Sequence, residues 1–277
     1  MHVSRASSPV RPRAWARWSP LVALLLVACG TPTDPSSPEA LADAISAGDV
    51  EKVDQALSAG ADPDAAAPSG LPLLASAAAR NDASVVAALL AAGAEADRSG
   101  PEGITALHAA AQTGALEAIA ALVAGGADLD LRSVNGMAAI DHAAALGRAD
   151  AITALVAAGS EPDRPSGAVT QGHGYPRDTS PAPLAIAARA GHVDAVEALL
   201  AAGADVDRAS DDGVTALHAA VFAGVPPAVV EALLTNGADP GRRVACSAGC
   251  SVPGELTARD WARELGRTTL IPLLAPP

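Results

Sequence analysis

Doublets of apolar side chains return along the chain at a near-constant interval: Leu89/Leu90, Leu122/Val123, Leu155/Val156, Leu199/Leu200 and Leu233/Leu234. Each doublet runs into a Gly followed by a small residue and an acid, and the full series of these glycines is Gly60, Gly93, Gly126, Gly159, Gly203 and Gly237. Their spacings are 33, 33, 33, 44 and 34 residues. A second marker, usually Gly, stands at Gly48, Asn81, Gly114, Gly147, Gly191 and Gly224, 12 residues ahead of its partner in five cycles and 13 in the last. Two markers held in one register define a tandem repeat. Each cycle predicts a helix of about nine residues, a tight turn, a second helix ending in the doublet, and an extended loop back to the next cycle. Seven such units follow Glu39.

No single unit of this size buries its own apolar face, so stability has to come from stacking one unit on the next. Composition agrees. Alanine dominates and aromatics are only 2% of the chain; beyond the first thirty residues they are Tyr175, Phe222 and Trp261 alone. A compact globule is hard to specify from such small side chains, whereas Ala favours helix and lets helix axes approach closely.

The fullest unit opens Gly103-Ile104-Thr105-Ala106-Leu107-His108-Ala109-Ala110, turns at Gly114, carries Leu122-Val123 in its second helix and closes with Gly126-Ala127-Asp128. It resembles the ankyrin repeat, whose pattern is a Gly-x-Thr-Pro-Leu-His-x-Ala opening, a Gly turn, a Leu-Leu second helix and a closing Gly-Ala-Asp. Gly213-Val214-Thr215-Ala216-Leu217-His218 matches nearly as well, while Ala182-Pro183-Leu184-Ala185 and Pro72-Leu73-Leu74-Ala75 keep position and lose the His. The resemblance covers about residues 39 to 275 and implies an all-α ankyrin-repeat solenoid of about seven helix-turn-helix units with extended hairpin-like loops, drawn as a domain over 39–277. Polar end units suit it: Asp43, Asp49, Glu51, Lys52 and Asp54 at one end, Thr257 to Gly266 at the other.

Ahead of the repeats, Arg5, Arg11, Arg13 and Arg17 precede a short apolar run, Leu21 to Ala28, and then Cys29. A basic leader with a core this short fits an export signal and is far below the ~20 residues a spanning helix needs. Leu26-Val27-Ala28-Cys29 resembles the lipobox of bacterial lipoproteins, which implies cleavage after residue 28 and a palmitate-type lipid anchor on Cys29. An ordinary secretory signal and an uncleaved anchor are the alternatives. Gly30 after the Cys leans toward an outer membrane where the cell has one. Residues 29–38, rich in Pro, Ser and Thr, read as a flexible tether. Removing the leader moves the formal net charge from −13 to −17, since four arginines leave and no acid does. Such an excess argues against nucleic acid and against docking on anionic headgroups, both of which need a cationic surface.

The register breaks twice. The loop between Gly159 and Ala182 is enlarged by 11 residues, broadly 165–180, and holds Tyr175 and Arg177; a second enlargement, about 244–252, holds Cys246 and Cys250. Insertions in a solenoid fall on loops along one face, often the binding face. Tyr175, the single Tyr, is either a contact anchor for a partner or part of a self-packed loop. Cys246 and Cys250 in an exported chain most simply form a disulfide; zinc lacks four ligands, and the spacing is not that of a redox pair.

Three other sets of residues invite over-reading. By the resemblance, His108 and His218 tie neighbouring loops by hydrogen bonds and do no catalysis, and His192 falls on a family consensus position. Asp64, Asp97, Asp130, Asp163 and Asp207 form a ladder of carboxylates, with rungs roughly 9 Å apart at helix-packing distance, too far to converge on calcium; turn formation is the expected role. The resemblance also places the two residues before each turn on a concave surface, and this row includes Gln112, Leu146, Arg189 and Phe222. Phe222 and Leu146 stand out there as apolar candidates, with packing on Pro226-Pro227 the alternative for Phe222.

The chain shows no nucleophile–base pair, phosphate loop, metal cluster or cofactor motif, so it reads as a non-enzyme. The expected role is a monomeric interaction module, lipid-anchored in the cell envelope, that binds a protein partner outside the cytoplasm through Tyr175, Arg177, Phe222, Leu146, Gln112 and Arg189. An immunity or inhibitor protein acting on an envelope enzyme, and a structural tether, remain the alternatives.

Overall fold

Each cycle of the pattern folds as a pair of helices. The structure is a computed structural model and describes residues 34–167, 169–170, 178–245 and 255–275. The pairs are α1 (Pro38–Ala47) with α2 (Val50–Ser58), α3 (Leu73–Ala79) with α4 (Ala83–Ala91), and α5 (Ala106–Thr113) with α6 (Leu116–Ala124). They continue with α7 (Ala139–Ala145) and α8 (Ala149–Ala157), α9 (Pro183–Ala190) and α10 (Val193–Ala201), and α11 (Ala216–Ala223) and α12 (Pro227–Thr235). A seventh unit contributes α13 (Ala258–Glu264), followed by turns. First helices pack on first helices and second helices on second helices from one end of the stack to the other.

The apolar doublets explain the second layer. Leu89, Leu122, Leu155, Leu199 and Leu233, the first member of each, are fully sealed, while Leu90, Val123, Val156, Leu200 and Leu234 are partly buried against the same core. Sealing one such leucine contributes about 1.5–3 kcal/mol. In the first layer the contacts are made by alanine: Ala77, Ala78, Ala110, Ala111, Ala143, Ala144, Ala187, Ala188 and Ala220 are all inaccessible. Methyl-sized contacts let these helices approach closely, and a larger side chain there would overpack the stack.

Helix ends are closed by local and by cross-unit bonds. Thr105 and Thr215 accept from the backbone N–H of His108 and His218, the capping role their position predicts. The N-cap of helix α6 is Ala115, whose methyl cannot accept a hydrogen bond; its cap comes from the preceding unit, where Asn81 Oδ1 accepts from Ala118 N at 3.0 Å and Asn81 Nδ2 donates to Glu117. Asn81 itself sits at φ 62°, in the left-handed region that the other units fill with Gly.

The carboxylate ladder proves to be inter-unit wiring. Asp64, Asp97, Asp163 and Asp207 each accept the backbone N–H of the next unit's loop, from Glu95, Asp128, Asp205 and Asp239, at 2.8–3.0 Å. Turn formation, expected of these residues, belongs to the acids two positions earlier: Asp62, Asp128 and Asp205 accept from the amides of Asp64, Asp130 and Asp207. Asp130, the remaining rung, is ion-paired with Arg164.

Among the described residues, strand pairing of more than one bridge is confined to the two enlarged loops. At the first, β1 (Val169–Thr170) pairs antiparallel with β2 (Asp178–Thr179); at the second, β3 (Arg243–Ala245) pairs with β4 (Glu255–Thr257). Elsewhere the returning loops are turns, with a single bridge between Ala66 and Pro72. At the far end of the stack, Leu270 and Leu274, 1% and 2% exposed, cover the last core layer.

Asn81 separates two effects that are usually mixed. Asn81→Ala should destabilise the domain by about 1–2 kcal/mol, because it loses the cap and places a Cβ residue at positive φ. Asn81→Gly should destabilise less, since it keeps the backbone conformation and loses only the cap. Denaturant midpoints of the three proteins test this; equal losses in both variants would show that the cap alone matters.

Candidate functional site

The row of residues preceding each turn lies at the C-terminal ends of the first helices, and because those helices stack in order the row is continuous. Its second members, Ala47, Arg80, Thr113, Leu146, Ala190 and Ala223, are all exposed, and Gln112, Arg189 and Phe222 are half-buried. Leu146 is 47% exposed, a large aliphatic side chain facing solvent at the C-cap of α7. On the loop that leads into α7, Val134 is 77% exposed. These are the exposed large hydrophobics among the described residues, and both belong to unit four, immediately before the first enlarged loop.

Neighbours constrain two of the expected contact residues. The Nε2 of Gln112 lies 3.2 Å from Nδ1 of His142, and Nε2 of His142 lies 3.3 Å from the Ser133 hydroxyl. His142 also meets His108 edge-on, ring centroids 5.3 Å apart. The Gln112 amide nitrogen is therefore committed to joining units three and four, leaving its oxygen for a partner. Phe222 packs its ring against Trp261 of the closing unit at 5.3 Å. One face of its surroundings is therefore the Trp261 ring of the next unit. Trp261 in turn meets His218 at 5.6 Å, so an aromatic cluster closes this end of the stack. Tyr175, Arg177, Cys29, Cys246 and Cys250 lie outside the described residues.

The turn edge carries a second set of links. Arg148 Nε donates to Gln112 O at 2.9 Å, His192 Nε2 to Ala145 O at 3.1 Å, and Arg267 Nη2 to Phe222 O at 3.5 Å. Each donor comes from the unit after the helix end it caps, where freed carbonyls and the helix dipole favour a donor or a cation. The consensus position of His192 thus has a mechanical use. It also demands Gly147: a Cβ there would come within 2.8 Å of the His192 ring, at φ 69°.

His108 and His218 are 1% and 0% exposed. Each joins its own N-cap threonine through Nδ1 and reaches the next loop through Nε2, to Met137 O at 3.1 Å and Arg242 O at 3.2 Å. Burial holds His108 below the usual imidazole range, and depresses His142 and His218 to about 4. Neutral rings, one nitrogen donating and one accepting, are what these geometries require.

Sequence reasoning passed over Asp141. It stands in α7 where His108 stands in α5, three residues after the N-cap, and is 2% exposed. Register alone, aligning Ala138-Ala139-Ile140-Asp141 with Thr105-Ala106-Leu107-His108, carries the signal. Among the described residues no group of three or more His, Cys, Asp or Glu is placed to hold a metal, and no helix is long and apolar enough to cross a membrane.

Stacked helix pairs, buried bridging histidines and cross-unit loop wiring define an ankyrin-type solenoid. A family model for ankyrin repeats (3 copies) matches residues 73–166 and 169–244, more than half of the chain, and the chain belongs to that family. The human ASB11 ankyrin repeat domain has a similar fold, with 24% identity, a TM-score of 0.66, and coverage of 86% of this chain and 98% of that one. The ankyrin repeat domain of Bcl-3, a member of the IkappaB family, is similar to the same degree, with 24% identity, a TM-score of 0.66, and coverage of 84% and 97%. No curated protein matches the chain. Ankyrin repeats are in general protein-binding modules.

The depressed imidazoles set a pH dependence. Unfolded histidine takes up a proton near pH 6.5, whereas His142 and His218 in the fold resist it down to about 4. Their contribution is complete above about pH 6.5 and is lost as pH falls toward 4. Urea midpoints should therefore fall between pH 7 and 4.5. His218→Gln, although less stable at pH 7, should lose less over that interval; an equal loss would remove His218 from the account.

Proposed function

We propose that this chain is an exported lipoprotein, anchored through Cys29 in the cell envelope, that binds another protein outside the cytoplasm with the rim of first-helix ends in units three to five and with the adjoining enlarged loop. The leader of four arginines, the short run Leu21 to Ala28 and the Leu26-Val27-Ala28-Cys29 junction support export and lipidation. The Pro- and Ser-rich stretch ahead of the α1 cap at Ser37 gives the solenoid reach from a surface, and the acid excess selects a neutral or basic partner.

The observation that carries the binding reading is Leu146. An aliphatic side chain 47% exposed between the small and polar first-helix ends of units three and five is an apolar focus of the kind that anchors a contact. Gln112 and Arg189 flank it from the units on either side, and Tyr175 and Arg177 follow in the enlarged loop. Recognition of this kind is passive: the stack is already built and rigid, so little freedom is lost on binding. The protein acts by holding its partner and performs no chemistry of its own.

Two experiments test the reading. In cells given labelled palmitate, the wild-type chain should carry the label and pellet with membranes, and Cys29→Ser should lose the label; retained label would overturn the anchor. Residues 30–277 should capture one dominant protein from envelope extract, and Leu146→Arg should weaken that capture at least tenfold while shifting stability by no more than about 0.5 kcal/mol, as expected of a surface change. An unchanged capture would remove the rim from the interface. The captured protein's own activity separates an inhibitor from a scaffold.

A further inference from the structure

Unit four carries a buried acid at the position that holds His in units three and six and Ala in units two and five. His108 and His218 direct Nε2 at the carbonyl of the following loop, and in the same register unit four carries Asp141. Its Oδ2 accepts from Ala138 N at 2.9 Å, while Oδ1 is buried with no partner. The Ser160 hydroxyl, in the loop after α8, is also buried and unpartnered. Both side chains line one enclosed space of about 10 Å³, which has room for no more than about one water molecule.

That space lies against the base of the enlarged loop. Arg132 and Arg164 are on its wall, and both are engaged. Arg132 donates from Nη2 to Pro165 O at 2.7 Å and from Nη1 to Gly136 O at 2.9 Å; Arg164 pairs with Asp130. Gly136 O also accepts from Gly167 N at 2.7 Å, and Pro181 O accepts from Ser166 N at 2.9 Å. The bonds to Arg132 and Gly136 fix the first side of the loop base onto unit four, and the Ser166–Pro181 bond ties the second side to the first.

We propose that Asp141 is a proton-operated latch on this clamp: with its carboxyl protonated the loop base stays fixed to the stack, and loss of the proton loosens it. A neutral carboxyl tolerates burial with one accepted bond, but a carboxylate requires charge-assisted partners. The cations within reach are Arg132 and Arg164, and drawing either toward Oδ1 strips a bond from Pro165, Gly136 or Asp130. Burial raises the Asp141 carboxyl to about 7, against the pull of the Ala138 amide and the two arginines, so the transition falls near neutrality. The other ionisable groups around it are Asp130 from the loop before α7 and Glu161 from the loop after α8. His142 is its neighbour on α7, and His108 on α5 meets that ring. Helix α8 has only Asp150, near the turn, and α9 only Arg189, at its far end.

Between about pH 4 and 7 the folded chain keeps a proton that the unfolded chain has released, so the latch contributes fully at low pH and is lost as pH rises through about 7. The buried histidines slope the opposite way, so the diagnostic is the difference between the wild type and Asp141→Asn, which is neutral at every pH. In the full-length chain, hydrogen exchange at the Ser166 and Gly167 amides, corrected for intrinsic rate, should be at least tenfold less protected at pH 8.5 than at pH 5.5. Asp141→Asn should show no such change. The ratio of unfolding constants, wild type over variant, should grow about tenfold per pH unit between pH 4.5 and 6.5. Asp141→His, which restores the residue of units three and six, serves if the Asn variant folds poorly, and its exchange should likewise be flat across this range. A carboxyl-carbon titration placing Asp141 in the ordinary range near 4, or the same pH dependence in wild type and both variants, would overturn the latch. Neither outcome bears on the lipid anchor or on the partner.

Discussion

Stacking between units is the interaction on which everything else here depends. The first-helix layer meets through methyl groups and the second-helix layer through leucines sealed by the adjoining helices, so each unit is finished only by its neighbour. A chain this poor in aromatic residues can fold because the small contacts are repeated many times in register. Phe222, the single Phe, and Trp261 are spent together at the last unit described, where Trp261 also meets His218.

Polar groups follow the same rule. The ladder carboxylates bind the next unit's amides, Asn81 caps a helix one unit away, and Arg148 and His192 cap the preceding unit's helix ends. Many polar groups of the repeats thus serve a neighbouring unit. Such wiring makes neighbouring units cooperative and holds the rim of first-helix ends in a fixed line, which is what a passive binding surface requires.

Unit four combines several departures from the repeat. It exposes Leu146 and Val134, replaces the bridging His with Asp141, lacks a threonine cap at Ala138, and precedes the longer insertion. Concentrating departures from a repeat in one unit is an economical way to place function on a scaffold, because the remaining units carry stability. The apolar focus and the buried acid sit at opposite ends of the same helix, α7, with the enlarged loop anchored beside the acid.

The repeat, its length, the turn residues and the sealed leucines were all legible from the chain, because periodicity is a property of sequence order and stacking merely reads it out. The roles of His108 and His218 were legible too, through the resemblance of their motif. The ladder aspartates were misassigned to turns, and the Trp261 ring beside Phe222 went unforeseen, for one physical reason: these partners lie about one unit away, so the contacts are invisible to local pattern. Asp141 was visible as a register mismatch, but its isolation was not. Only the tertiary structure, by closing unit four over a carboxyl oxygen and a hydroxyl that find no partner, decided that this substitution carries an energetic consequence.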